Sequence, residues 1–287
     1  MPPRDALDLV VLGALWGAAF LFMRVAAPAF GPVTLIAVRV TIAAALLLPL
    51  IVREGGMAQA RSAAGRLALV GALNTAIPFT LFAYAALTLP AGLSSVLNAT
   101  VPLFGALVGV LWLGERPRPL QLVGLGLGFA GVLVLAWPRL SSASDWRAVA
   151  AALTATLLYA ISAHLTRQTL TGVRPVVIAG GSMTGAAAML LPLTLVWHPA
   201  SSPASGAWGA ALMLGVASTA IAYVIYFRLL ARAGPTVAMT VTYLIPVFGV
   251  SWGAVFLGER LASTALAGGA LVLTSVALTT LRPRSSI

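Results

Sequence analysis

The chain has 287 residues, of which 60% are hydrophobic and 8% charged, and its mean hydropathy is +1.03. An ordinary soluble domain carries about 25% charged residues, so this composition excludes a water-soluble globule. The formal net charge of +11 comes entirely from arginine, and in so apolar a chain it points to membrane topology rather than to nucleic acid. Cysteine is absent, which removes disulfides, thiolate metal sites and thiol chemistry.

Ten segments approach the ~20 apolar residues that cross a hydrocarbon core: 7–27, 33–51, 67–88, 91–113, 119–137, 147–166, 175–196, 207–228, 236–257 and 263–281. The first is flanked by Asp5 and Asp8 and followed by further spans, so it reads as a retained helix rather than a signal peptide. It contributes Trp16 and Phe20. The second holds Arg39, about 9 Å along the helix from its nearer end. A guanidinium there either binds a substrate carboxylate through its fork or is structural, snorkelling outward or pairing with backbone carbonyls and Glu259. The third and fourth segments carry Asn74, Thr75 and Phe79, then Ser95, Asn98 and Thr100.

The glycines at 124, 126 and 128 of the fifth lack the flanking strand and Lys-Ser/Thr of a phosphate loop and suit close helix packing instead. In the sixth, Tyr159 lies at depth and His164 nearer one end, where it either titrates near neutral pH or bonds locally. Thr219, Tyr223 and Tyr226 fall in the eighth segment, Thr242 and Tyr243 in the ninth. A few polar groups on apolar, aromatic walls suit a small-molecule pocket, although Ser, Thr and Asn also join helices. Pro78, Pro102 and Pro246 are mid-span and each removes a backbone donor, which predicts kinks and candidate hinges. Asp5, Asp8, Glu54 and Asp145 are expected in tails or loops and Glu115 and Glu259 at helix ends. No carboxylate relay or carboxylate sodium site is therefore expected in mid-membrane.

The tetrapeptide Leu-Gly-Glu-Arg closes an apolar segment at 113–116 and again at 257–260, each time after a proline and Phe-Gly (Pro102, Phe104, Gly105; Pro246, Phe248, Gly249). Residues 32–50 align with 175–193 at an offset of 143, one short of the 144 between the tetrapeptides, Thr75 matches Thr219 at 144, and Trp16 falls opposite Tyr159 at 143. The reading is an all-α polytopic membrane protein of ten transmembrane helices, residues 1–143 and 144–287 being two five-helix repeats. Five spans is an odd number, so the second repeat is inverted, as in many secondary transporters. Placing the N-terminus in the cytoplasm puts twelve arginines on that side and four outside, which predicts that both termini are cytoplasmic. The expected location is a bacterial inner membrane.

These features, above all Leu113-Gly114-Glu115-Arg116-Pro117, Pro246, Gly258-Glu259-Arg260 and Arg39, resemble the drug/metabolite transporter superfamily, EamA-type, over essentially the whole chain. Size and aromatic content are most like its YddG-type exporters of aromatic amino acids. The resemblance implies export of small metabolites through a central cavity walled by helices 1, 3, 4, 6, 8 and 9, with helices 5 and 10 peripheral. The small four-helix relatives bind protons on a glutamate within their first helix; this chain has only Asp8 at the start of that span. The expectation is a secondary transporter of small organic metabolites, aromatic or bulky apolar amino acids in particular, monomeric or weakly dimeric, with no cofactor and no metal. An alternative is a carrier of nucleotide-sugars or phosphorylated metabolites. An intramembrane enzyme is a distant one, since no Gly-x-Ser-Gly occurs and His164 has no evident serine partner.

Overall fold

A computed structural model describes residues 2–114, 117, 119–139, 143–199 and 201–280. Glu115, Arg116, Arg118, Arg282 and Arg284 lie outside them. Ten helical segments are labelled in chain order: α1 Pro3–Phe30, α2 Pro32–Arg53, α3 Ala64–Ala85, α4 Ala91–Trp112, α5 Pro119–Ala136, α6 Asp145–Thr169, α7 Pro175–Leu193, α8 Ser205–Gly234, α9 Val237–Leu257 and α10 Ser263–Leu278. Among the described residues α1 to α9 are long and apolar enough to cross a membrane, and α10 is a shorter apolar helix. The protein is an all-helical integral membrane protein.

Proline and glycine punctuate the chain where helix physics puts them. Proline occupies the first helical turn of α2 and α7, where its missing N–H costs nothing. Gly114 and Gly258 end α4 and α9 in the left-handed conformation, with φ of 66° and 63°. Their N–H groups return to Gly109 and Gly253, closing orphan carbonyls of the last turn. The Leu-Gly of the repeated tetrapeptide is thus a helix stop used twice.

Two of the expected irregularities take another form. Residues Ala72–Ala76 of α3 and Val216–Ile221 of α8 form π turns, and Pro78 lies just after the first of them. Helix α4 is interrupted at Ala99 and Thr100, immediately before Pro102, whereas Pro246 sits inside the continuous helix Val241–Leu257.

Packing interleaves the two halves of the chain. Helix α1 lies against α8 and α9, and α6 lies against α3 and α4, giving two groups that each combine helices from both halves. Helix α2 packs along α7, and α5 along α10. Small residues set these distances. A Cβ at Gly17 would meet Phe248 Cβ at 2.7 Å and Gly249 N at 2.9 Å, and one at Gly131 would meet the Gly268 carbonyl at 2.9 Å. Of the α5 glycines, Gly128 serves this packing too, since a Cβ there would collide with Leu103 and with Ser275 Oγ of α10, whereas Gly126 meets nothing within 4 Å. Ser275 also donates to the Gly124 carbonyl at 2.5 Å.

The face at which α1 begins is called near and its opposite far. On the far face two bridges join the groups. Arg24 of α1 donates to the carbonyls of Ala86 and Leu87 after α3, at 2.7 and 2.8 Å. Glu259, just past α9, accepts from the N–H groups of Ala91 and Gly92 at 2.9 and 3.2 Å, capping the first turn of α4. This corrects the expected pairing of Glu259 with Arg39: the carboxylate is taken up by a helix N-terminus.

The near face holds a second correction. Asp5 and Asp8 lie within α1, not in a tail, and are only 6% and 8% exposed. Arg228 of α8 grips Asp8 with both prongs, Nε to Oδ2 at 3.0 Å and Nη2 to Oδ1 at 2.5 Å. Arg232 bridges Asp5 at 3.0 Å and also reaches Asp8. Neutralised this way, the two carboxylates can start a membrane helix. Asp145, expected in a loop, is in the first turn of the helix that becomes α6.

Candidate functional site

Helix α2 is buried along the stripe Leu35, Ile36, Arg39, Val40, Ala43 and Leu47, a helical period that carries one cation. Arg39 is 5% exposed. Its Nε donates to Thr219 Oγ1 of α8 at 2.9 Å, and the Thr219 hydroxyl in turn donates to the Leu214 carbonyl, five residues back across the π turn, at 2.7 Å. The wider turn is what presents that hydroxyl. Beneath the guanidinium lies the Phe79 ring of α3, 3.6 Å from Cζ to the ring centre, a cation–π contact. Nη1 makes one long contact, 3.9 Å, with the sulfur of Met23 in α1.

Aromatic rings extend from this centre in two directions. Phe79 meets Tyr159 of α6 edge-on at 6.3 Å, Tyr159 stacks on Phe82 at 6.2 Å, and Phe82 meets Phe20 of α1 edge-on at 5.5 Å. In α8, Tyr223 and Tyr226 lie 6.1 and 5.4 Å from Trp16 of α1. The side chains of Tyr159 and Tyr223 are within electrostatic reach of Arg39, and the Asn74 side chain of α3 lies near that of Tyr223. Trp16, Phe20, Asn74, Phe79, Tyr159, Thr219 and Tyr223 therefore converge around Arg39. They come from α1, α3, α6 and α8, two from each side of the seam between the helix groups. Phe82 and Met23 join them although the sequence reading passed them over; Phe82 follows Phe79 by three residues, which is the signal that could have found it.

The remaining candidates show no contact with Arg39 or its rings among the described contacts. Ser95 Oγ donates to the Gly92 carbonyl at 2.7 Å in the capped turn of α4, and Asn98 is half-buried at the end of that segment. Thr242 donates to the Met239 carbonyl at 2.8 Å, and the half-buried Tyr243 packs against the core. His164 bonds the Ala160 carbonyl through Nδ1 at 2.8 Å, a local bond within its own helix. An apolar groove of about 490 Å³ between α1, α8 and α9, lined by Phe22, Met213 and Trp252 among others, shares no residue with the aromatic centre.

A cation, hydrogen-bonding hydroxyls and ring faces at one seam can hold a small organic molecule by charge, hydrogen bonds and stacking at once. Comparison with known proteins agrees with that class of use. The EamA-like transporter family matches the chain twice, over residues 6–137 and 146–281. A probable terminal-alkyne amino-acid exporter of Streptantibioticus cattleyicolor is 28% identical over 278 residues, covering 94% of this chain and 91% of its own. The uncharacterized inner membrane transporter YedA of Escherichia coli is 26% identical, covering 95% and 89%. The pseudopaline exporter CntI of Pseudomonas aeruginosa is 28% identical over 79% of each chain. A solved crystal structure shares the fold with a TM-score of 0.67 at 21% identity, over 99% of this chain and 100% of that one. The chain belongs to the EamA-like transporter family.

Proposed function

We propose that this protein is a secondary transporter that exports small organic metabolites, specifically amino acids with aromatic or bulky apolar side chains. The observation that carries this reading is the aromatic centre around Arg39 at the seam between two helix groups, each drawn from both halves of the chain. Residues 1–143 and 144–287 are proposed as inverted five-helix repeats, with both termini cytoplasmic, and the seam as the path that opens alternately to either face. The proposed binding residues are Trp16, Phe20, Asn74, Phe79, Tyr159, Thr219 and Tyr223, with Pro78, Pro102 and Pro246 as hinges. Among the described residues the acids of α1 are paired with arginines at its start and Glu259 caps α4, which supports a cycle without a carboxylate proton relay. A relative named as a probable terminal-alkyne amino-acid exporter supports the class of cargo. A phosphorylated cargo is less well served, since a dianion calls for several cations and the centre holds one.

The experiment is uptake of labelled tryptophan, phenylalanine and threonine into proteoliposomes, with and without a proton gradient. Saturable uptake of the aromatics without a gradient supports the proposal. Uptake of none of the three refutes the cargo assignment.

A further inference from the structure

We infer that Arg39 is the receptor for the carboxylate of the transported molecule, which makes a carboxylate a requirement of the cargo. This rests on the transport reading above and narrows it to a chemical class.

A buried cation in a membrane helix is expensive unless it is paired. Arg39 has no carboxylate partner among the described residues. Glu259 is held by the N–H groups of Ala91 and Gly92, and Asp5 and Asp8 are held by Arg228 and Arg232. Glu54 is exposed at the end of α2, about 22 Å along the helix from Arg39. A guanidinium has five N–H donors. Nε spends its donor on Thr219, Nη1 has only the long contact to sulfur, and Nη2 has no hydrogen-bond acceptor among the described residues.

The geometry of what is satisfied matters as much as what is left. Thr219 holds the Nε edge, and Phe79 lies under the plane. The side chain is therefore oriented at one edge and one face, leaving the Nη edge to offer parallel N–H groups to a carboxylate. Phe79 and Tyr159 on one side and Trp16 and Tyr223 on the other supply rings to receive an apolar body. One cation matches one carboxylate, so the fitting ligand is a monocarboxylate or an amino acid with a hydrophobic side chain. An amide or an amine with the same ring would leave Arg39 uncompensated.

The test compares isosteric pairs on the purified full-length protein: phenylalanine against phenylalaninamide and benzoate against benzamide, with acetate as a ringless carboxylate. Binding is read from the thermal midpoint and from intrinsic tryptophan fluorescence. Each carboxylate should bind about 10- to 100-fold tighter than its amide, the range of a charge-assisted hydrogen bond. Arg39→Gln should abolish the preference while amide binding stays, and Arg39→Lys should restore part of it. Equal binding of acid and amide, a preference that survives Arg39→Gln, or no binding of any carboxylate at millimolar concentration overturns the inference. Should Arg39→Gln fail to fold, the wild-type pairs together with Arg39→Lys still decide. Acetate binding as well as benzoate would refute the aromatic cargo and leave the Arg39 assignment standing; ring-dependent binding indifferent to the carboxylate would do the reverse.

Discussion

Arg228 and Asp8, 220 residues apart in sequence, meet through two parallel hydrogen bonds of 3.0 and 2.5 Å that fasten the start of α1 to α8. The arginine side chain is 49% exposed and the aspartate 12%, so the pair is half-screened. Asp8→Asn leaves Arg228 and Arg232 facing each other without their shared anion. The expected cost is about 1–3 kcal/mol, between the exposed and the buried limits. Thermal midpoints in detergent should fall for Asp8→Asn and fall less than additively when Arg228→Gln is combined with it. Strict additivity would show that the two side chains are not coupled.

Glu259 joins the two helix groups on the far face through backbone donors of α4, so its removal should loosen that face specifically. The native chain has no cysteine, which gives a clean reporter: a single Ser94→Cys, at a position 1% exposed. Glu259→Gln keeps an acceptor and loses the charge, and should raise the rate of maleimide labelling at that cysteine several-fold. An unchanged rate would mean the bridge does not hold the face closed.

Phe79 supports Arg39 from below at 3.6 Å. Phe79→Leu preserves an apolar side chain of smaller size and removes the ring quadrupole, a loss of about 1–2 kcal/mol. In proteoliposomes this should raise KM for an aromatic amino acid about 5- to 30-fold. A KM within twofold of the native protein would place the ring outside the binding event.

Gly17 and Gly105 give a matched pair. A Cβ at Gly17 would press into Phe248, Gly249 and Ile245, whereas one at Gly105 meets nothing within 4 Å. Gly17→Ala should therefore destabilise by about 1–3 kcal/mol, and Gly105→Ala should be neutral or stabilise by up to about 1 kcal/mol. Thermal midpoints measured side by side check the contrast.

The helices were readable because hydropathy, proline starts and glycine stops are local properties: the segment expected at 33–51 is Pro32–Arg53, and that at 91–113 is Ala91–Trp112. What could not be read depends on partners distant in sequence. Asp5 and Asp8 look like a helix boundary because nothing nearby discloses that Arg228 and Arg232 will neutralise them. Glu259 and Arg39 are opposite charges assigned to one side, yet the backbone of α4 supplies two donors to the carboxylate and wins. At the candidate site, the residues that converge are those on α1, α3, α6 and α8. Ser95, Thr242 and His164 carry the same kinds of polar atom but spend them on the carbonyls of their own helices.

The π turns begin at Ala72 and at Val216, 144 residues apart, the same spacing that relates the two Leu-Gly-Glu-Arg tetrapeptides. A π turn holds one residue more than the α-helical turn around it, so a single inserted residue would produce one. On the proposed duplication, one insertion in a single-length ancestor accounts for both turns, whereas insertions after the doubling would have to strike the same place twice. The wide turn is then older than the two-part molecule, and Arg39, which has Ser182 at the corresponding place in the other half, is a specialisation acquired by one descendant copy or lost from the other.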